Sequence, residues 1–386
     1  MRTFNIVVLA ILGLFLASCG DDDDRLGDWA KSVQFSGEPR EGSVCFKFKD
    51  GNTETVFVGL GFGARSEEFS DLYEFNGESW AKVTGTEFPA PVNEGSDPTK
   101  QNGNGRHSAV AFVIGDYAYV GTGYVSALSN STTSRNRKFF NDFYKFNMRT
   151  KKWEGEAIVM NVNGTPVEGR RDAVAFSDGE YGYVGTGYGE NDRVFKDFYR
   201  FDPNTETWEE ISFNGDARYG AVAFVVNNAA YVALGASGLS SSMSSTVVRN
   251  VMKFDFATKT WHEMGALADK PGVRQDKDYE RIPRVYAVSF TSDKGKDGEE
   301  YAYIALGAGA NPRTVWKYNH KKDQWHQMED ISRLANSTYM AVGFSIGGYG
   351  YYTTGGSSTD GGTNLGLYID TWRFIPDVKE TRRNDY

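Results

Sequence analysis

Cysteine and histidine are scarce in this chain, and their scarcity removes several chemistries at once. Of 386 residues only Cys19 and Cys45 carry a thiol, too few for a framework of disulfides. The four histidines, His107, His262, His320 and His326, are scattered, and no two share a motif with metal-ligand spacing. A basic surplus is missing too. The 42 Lys and Arg against 51 Asp and Glu leave a net charge of −9, without the basic footprint that nucleic acid demands. Beyond the N-terminus no stretch places apolar residues at helical three-and-four spacing. The expectation is a chain without helices, metal, cofactor or nucleic-acid partner. What is plentiful is glycine, 44 residues, and aromatic side chains, 15% of the total. That composition suits many short strands joined by tight turns.

The one long apolar run, Ile6 to Leu16, follows the basic Arg2 and is too short to span a bilayer, so it reads as a secretory signal. It closes on Leu16-Ala17-Ser18-Cys19, which resembles the lipobox of bacterial lipoproteins. The resemblance implies that residues 1–19 are a signal peptide ending at Cys19, which becomes the lipidated N-terminus and the sole contact with the membrane. Residues 20–28 then form an acidic spacer. The run Asp21 to Asp24 is a solvated charge cluster and also resembles the acidic signals that send some Gram-negative lipoproteins to the cell surface. The implied location is the outer membrane, facing outward. Cys45, in the apolar Val44-Cys45-Phe46, reads as a buried, inert thiol.

From there to the end, one phrase recurs six times. An apolar strand ends in Phe46, Phe112, Phe176, Phe224, Phe290 and Phe344, with small residues interleaved. An aromatic strand follows and stops at Gly61, Gly123, Gly187, Gly235, Gly307 and Gly355. A third strand carries the aromatic residues of Leu72 to Phe75, Phe143 to Phe146, Phe198 to Phe201 and their equivalents, and a fourth opens on Trp80, Trp153, Trp208, Trp261 or Trp325. Four strands cannot bury both faces of their own sheet, so such units stack radially as propeller blades. The small residues place the first strand at the crowded axis. The sixth unit lacks its Trp, while an orphan Trp29 precedes the first. Residues 29–35 therefore complete the sixth blade and close the ring, which removes the exposed sheet edges.

These residues resemble the kelch family, whose signature pairs two glycines after an apolar strand with a downstream aromatic and a Trp. Only Gly355-Gly356 keeps both glycines; Phe62, Tyr124, Tyr188, Ala236 and Ala308 stand at the second position elsewhere. The resemblance implies an all-β, six-bladed kelch-type propeller of four-stranded antiparallel blades over residues 29–376, with 377–386 as a tail. Kelch propellers include binding scaffolds, sugar epimerases and copper radical oxidases. A lone Cys45 without converging histidines does not fit the last of these.

Phrase order puts the long loops on one face, and one elaborated face on a rigid scaffold is the pattern of a binding surface. Arg40, Arg106, Arg170, Arg218 and Arg284 precede five of the six inner strands, with Thr338 in the sixth. Two readings stay open. The guanidinium groups could ring the central mouth as a clamp for carboxylate, sulfate or phosphate, or each could tie its blade to the neighbouring one through backbone carbonyls or a carboxylate. The next residues, Glu41, His107, Arg171, Tyr219 and Tyr339, belong to the same mouth, and Tyr124 and Tyr188 offer aromatic platforms. The expected function is recognition of a glycan or a protein at this face. The alternative is a cofactor-free mutarotase or epimerase of an anionic sugar such as a sialic acid, with Glu41 or His107 as base.

Overall fold

The computed structural model describes residues 25–65, 67–90, 104–126, 128–129, 134–135, 137–239, 246–269, 278–332, 335–359 and 364–379. Cys19, the signal segment, the run Asp21 to Asp24 and the last seven residues lie outside them. Among the described residues six four-stranded antiparallel sheets form, and the only helical segments are two 3-10 turns, Glu190–Asp192 and Tyr279–Arg281. Blade 1 is Val44–Asp50, Thr53–Gly59, Leu72–Phe75 and Trp80–Lys82. Blade 3 shows the same order in Val174–Ser177, Gly182–Gly185, Phe198–Asp202 and Thr207–Ile211. The inner strands alternate buried Val and Phe with half-exposed small residues, the period-2 pattern of a strand with one face on the axis.

Blade 6 consists of Val342–Ile346, Tyr349–Thr353 and Thr371–Ile375, with Asp28–Lys31 added antiparallel to the last of these. The closing strand is shorter than the sequence implied. Val33 leaves it and accepts a hydrogen bond from the Trp80 indole of blade 1, and Phe35 packs edge-on against that ring.

A repeated aromatic joint holds the blades together. The inner Phe stacks on its own second strand (Phe112 on Tyr119, Phe176 on Tyr183, Phe344 on Tyr351). Its edge then meets the Trp of the next blade near perpendicular: Phe112 with Trp208, Phe176 with Trp261, Phe224 with Trp325 and Phe344 with Trp80. Trp29 takes the same place against Phe290 at 6.0 Å and 87°. Edge-to-face pairs of this kind add about 0.5–1.5 kcal/mol each beyond the area they bury. The orphan Trp of the N-terminus is thus the missing member of blade 6.

Candidate ligand-binding mouth

Two closed rings of backbone hydrogen bonds build the mouth. In the first, the glycine ending each second strand donates its N–H to the carbonyl at the arginine position of the next blade. Gly61 donates to Arg106, Gly123 to Arg170, Gly187 to Arg218, Gly235 to Arg284, Gly307 to Thr338 and Gly355 back to Arg40, at 2.7–2.9 Å. In the second, nearer the axis, Ser108 donates to Gly42, Asp172 to Ser108, Gly220 to Asp172, Tyr286 to Gly220, Met340 to Tyr286 and Gly42 to Met340. All six members of this inner ring have positive φ, between 52° and 61°. Four of them carry side chains in that uncommon conformation, held there by the ring.

The arginine side chains do not line the mouth. Arg40, Arg106, Arg170, Arg218 and Arg284 are each at most 1% exposed, and each turns outward into its own blade. Arg40 Nη1 donates to Asp71 Oδ1 at 2.5 Å and to the Leu60 carbonyl at 3.2 Å. Arg106 makes the same pair of contacts with Asp142 and Thr122, and Arg170 with Asp197 and Thr186. The Asn250 Oδ1 and the Thr314 Oγ1 stand in for the carboxylate opposite Arg218 and Arg284, and burial lowers both of these guanidinium groups to about 10. An aromatic ring covers three of the ion pairs: Phe69 over Arg40, Phe140 over Arg106 and Phe195 over Arg170, at 3.9–4.2 Å. The geometry excludes the clamp and corrects the tie: each guanidinium binds a partner in its own blade, and the link to the next blade is made by main-chain atoms. A buried, paired guanidinium cannot meet a ligand without leaving its carboxylate uncompensated.

The mouth is lined one residue further on. Each residue after the arginine position pairs across a short antiparallel bridge with the residue after the glycine: Glu41 with Phe62, His107 with Tyr124, Arg171 with Tyr188, Tyr219 with Ala236, Val285 with Ala308 and Tyr339 with Gly356. The six bridges divide into two arcs. In blades 1 to 3 a charged or polar side chain faces an aromatic partner. In blades 4 to 6 Tyr219, Val285 and Tyr339 face a small one, and at Gly356 even a Cβ would meet Glu41 Oε2 at 2.4 Å.

In the polar arc, the Arg171 guanidinium lies 4.9 Å from the Tyr124 ring and 5.2 Å from Tyr188. Its Nε stands 3.4 Å from Asp172 Oδ2 without a hydrogen bond. Tyr188 donates its hydroxyl to Asp192, so it serves through its ring. His107 Nδ1 is 3.7 Å from Glu68, a fully buried carboxylate that also accepts from the Ser126 N–H at 2.8 Å. Glu41 Oε2 is buried without a hydrogen-bond partner, packed where a side chain at Gly356 would be. Burial, and secondarily the Asp172 charge, push its carboxyl up to about 7 despite the opposing pull of Arg171.

Sequence reasoning did not reach Asp172 or Tyr286. The Tyr286 ring lies over Gly220, where any Cβ would meet it at 2.9 Å, and its hydroxyl donates to Asp172 Oδ2 at 3.4 Å. Met340 lies over Gly42 in the same way. Both belong to the lining of the axial channel, a cavity of about 230 Å³ otherwise lined mostly by the small residues of all six inner strands. Cys45 faces this channel, with its thiol pushed up to about 12 by burial and donating to the Gly343 carbonyl. Among the described residues no group of three metal-ligating side chains comes together.

Comparison with known proteins agrees with this architecture. A solved structure entitled "Structure of YjhT" superimposes with a TM-score of 0.57 over 88% of this chain and 96% of that one, at 16% identity. At that identity the likeness concerns the fold. No curated protein matches the chain. The model of the KLHDC2/KLHL20/DRC7 Kelch-repeats domain matches residues 28–235, more than half the length, and the chain therefore belongs to the kelch-repeat family of β-propellers.

Proposed function

We propose that this propeller is a recognition module that binds a glycan carrying a carboxylate, and that Cys19 anchors it to the outer membrane with the mouth exposed. A kelch propeller is foremost a binding scaffold. One observation carries the narrower reading: the mouth has two unlike arcs. Sugar rings present an apolar face and a hydroxylated edge. The arc of Tyr219, Tyr286 and Tyr339 suits the first, and the arc of Glu41, Ser108 and Arg171 suits the second. Arg171 supplies paired donors for a carboxylate. The Oε2 of Glu41 and the Oγ of Ser108 are buried polar atoms without hydrogen-bond partners, and a hydroxylated ligand would satisfy them. A glycan array probed with the protein and with Arg171→Ala tests this. Binding to acidic glycans that the variant loses is the expected result. Absence of glycan binding, with a protein captured instead at the same face, would replace the reading.

A second reading, isomerisation of an anionic sugar without a cofactor, has its own observation in Glu41. A carboxyl held near 7 beside a guanidinium is poised to exchange a proton with a sugar hydroxyl at neutral pH. Proton NMR of anomer interconversion, with the protein and with Glu41→Gln, decides it. Acceleration that the variant abolishes would make the module an enzyme.

A further inference from the structure

We propose that the face opposite the mouth rests toward the lipid bilayer, so that the mouth is held outward by the geometry of the tether; this rests on reading Cys19 as the lipidated residue. The direction comes from strand register. Thr371 pairs with Thr353 beside the mouth glycines, and Ile375 lies at the other end of the same strand. Asp28 pairs with Ile375, and Lys31 with Trp372. The chain therefore enters blade 6 from the far side. Gly27 donates to the Val378 carbonyl there. Asp377, next to it, accepts from the Lys296 N–H in the far-side turn of blade 5. The contacts of Gly27 with Val378 and of Asp377 with Lys296 lie on the short-turn face, while the Leu26 carbonyl accepts from the Glu329 N–H just beyond the outer strand of blade 5.

Length does the rest. From Cys19 to Arg25 are six residue steps, which fully extended reach about 20 Å. Turning the mouth to the membrane would oblige that segment to climb the whole blade. The five residues Thr371–Ile375 alone rise roughly 15 Å at strand spacing, with turns at one end and mouth loops at the other. Nothing would remain to reach the acyl layer.

The test uses the full chain, expressed with its own leader in a Gram-negative host, purified from membranes and reconstituted into phosphatidylethanolamine–phosphatidylglycerol vesicles carrying an acceptor dye on the headgroups. With Cys45→Ser as background, a donor is attached at Glu78→Cys or Arg65→Cys in blade 1, and at Asn204→Cys or Glu190→Cys in blade 3. In each blade the first position is an exposed far-side turn and the second an exposed mouth-side loop. Severalfold stronger energy transfer from Glu78→Cys than Arg65→Cys, and from Asn204→Cys than Glu190→Cys, is expected. Equal or reversed transfer in vesicle-bound protein overturns the orientation while leaving the anchor intact. Protein that is not recovered with the vesicles, and carries no acyl chain by mass spectrometry, overturns the anchor and the orientation with it.

Discussion

Two neighbouring positions of one repeat behave as opposites. At the first, five of six blades carry arginine, and every one of those side chains is buried in its own blade. At the second, the blades carry Glu41, His107, Arg171, Tyr219, Val285 and Tyr339, with repetition only in the tyrosine, and these side chains surround the mouth. The two positions are consecutive residues of a short extended bridge, where successive side chains point to opposite sides, and the chain turns only at the positive-φ residue that follows. Repetition in this molecule marks what holds the blade, and departure from repetition marks what faces the ligand. Blade 6 illustrates the first half of that statement. With Thr338 in place of arginine, the equivalent carboxylate Asp370 is free to pair with Lys31 at 2.9 Å and to accept from Gln34 at 3.1 Å. The blade that lacks its tie uses the carboxylate to clamp the strand that closes the ring.

The contrast can be broken by substitution. Arg40→Ala should have the largest effect, since it leaves Asp71 buried without its counter-charge, a loss of about 3–5 kcal/mol. Urea denaturation would measure it, and the folded fraction should bind with unchanged affinity; weakened binding at full stability would return the arginine layer to the mouth. Arg171→Ala should do the reverse. Its stability loss should be smaller than that of Arg40→Ala, because Arg171 is a quarter exposed and its Nε makes no hydrogen bond to Asp172, while affinity for a carboxylate-bearing glycan falls by about 1.5–3 kcal/mol, measured calorimetrically. The third effect, read as a dependence on pH, belongs to Glu41. Its carboxyl is raised from 4.5 to about 7 in the folded chain, so between those values the folded state holds a proton that the unfolded state has released. Stability from this group is complete below pH 4.5 and is lost as pH rises through 7. Glu41→Gln should flatten that decline in a series of thermal melts; an unchanged slope would assign it to other groups.

The blades were legible in the sequence because each must solve the same packing problem with the same residues, and Trp29 betrayed the closure by being out of place. The fate of the arginines was not. The sequence shows a cation before the inner strand, but its direction is set by a carboxylate about 30 residues later. That signal was present: Asp71, Asp142 and Asp197 open the third strand in the three blades whose arginines they pair with. The inner ring was hidden for a different reason. Gly42, Ser108, Asp172, Gly220, Tyr286 and Met340 share a conformation and a hydrogen bond but no side-chain chemistry. Asp172 and Tyr286 therefore could not be recognised as mouth residues. The split of the mouth into polar and aromatic arcs was on the page as the loss of the second glycine, yet only pairing shows what that loss makes room for.

The two hydrogen-bonded rings around the mouth are made wholly of main-chain atoms, and this has a consequence for how such a protein changes over time. A hoop of peptide groups is indifferent to the letters written on it. Arg171, His107 or Tyr339 can be exchanged without releasing a single link, whereas a scaffold held by side chains across its ligand site would have to renegotiate its stability with each new specificity. The rim is therefore a surface on which recognition can drift freely, six positions at a time, above a frame that does not notice.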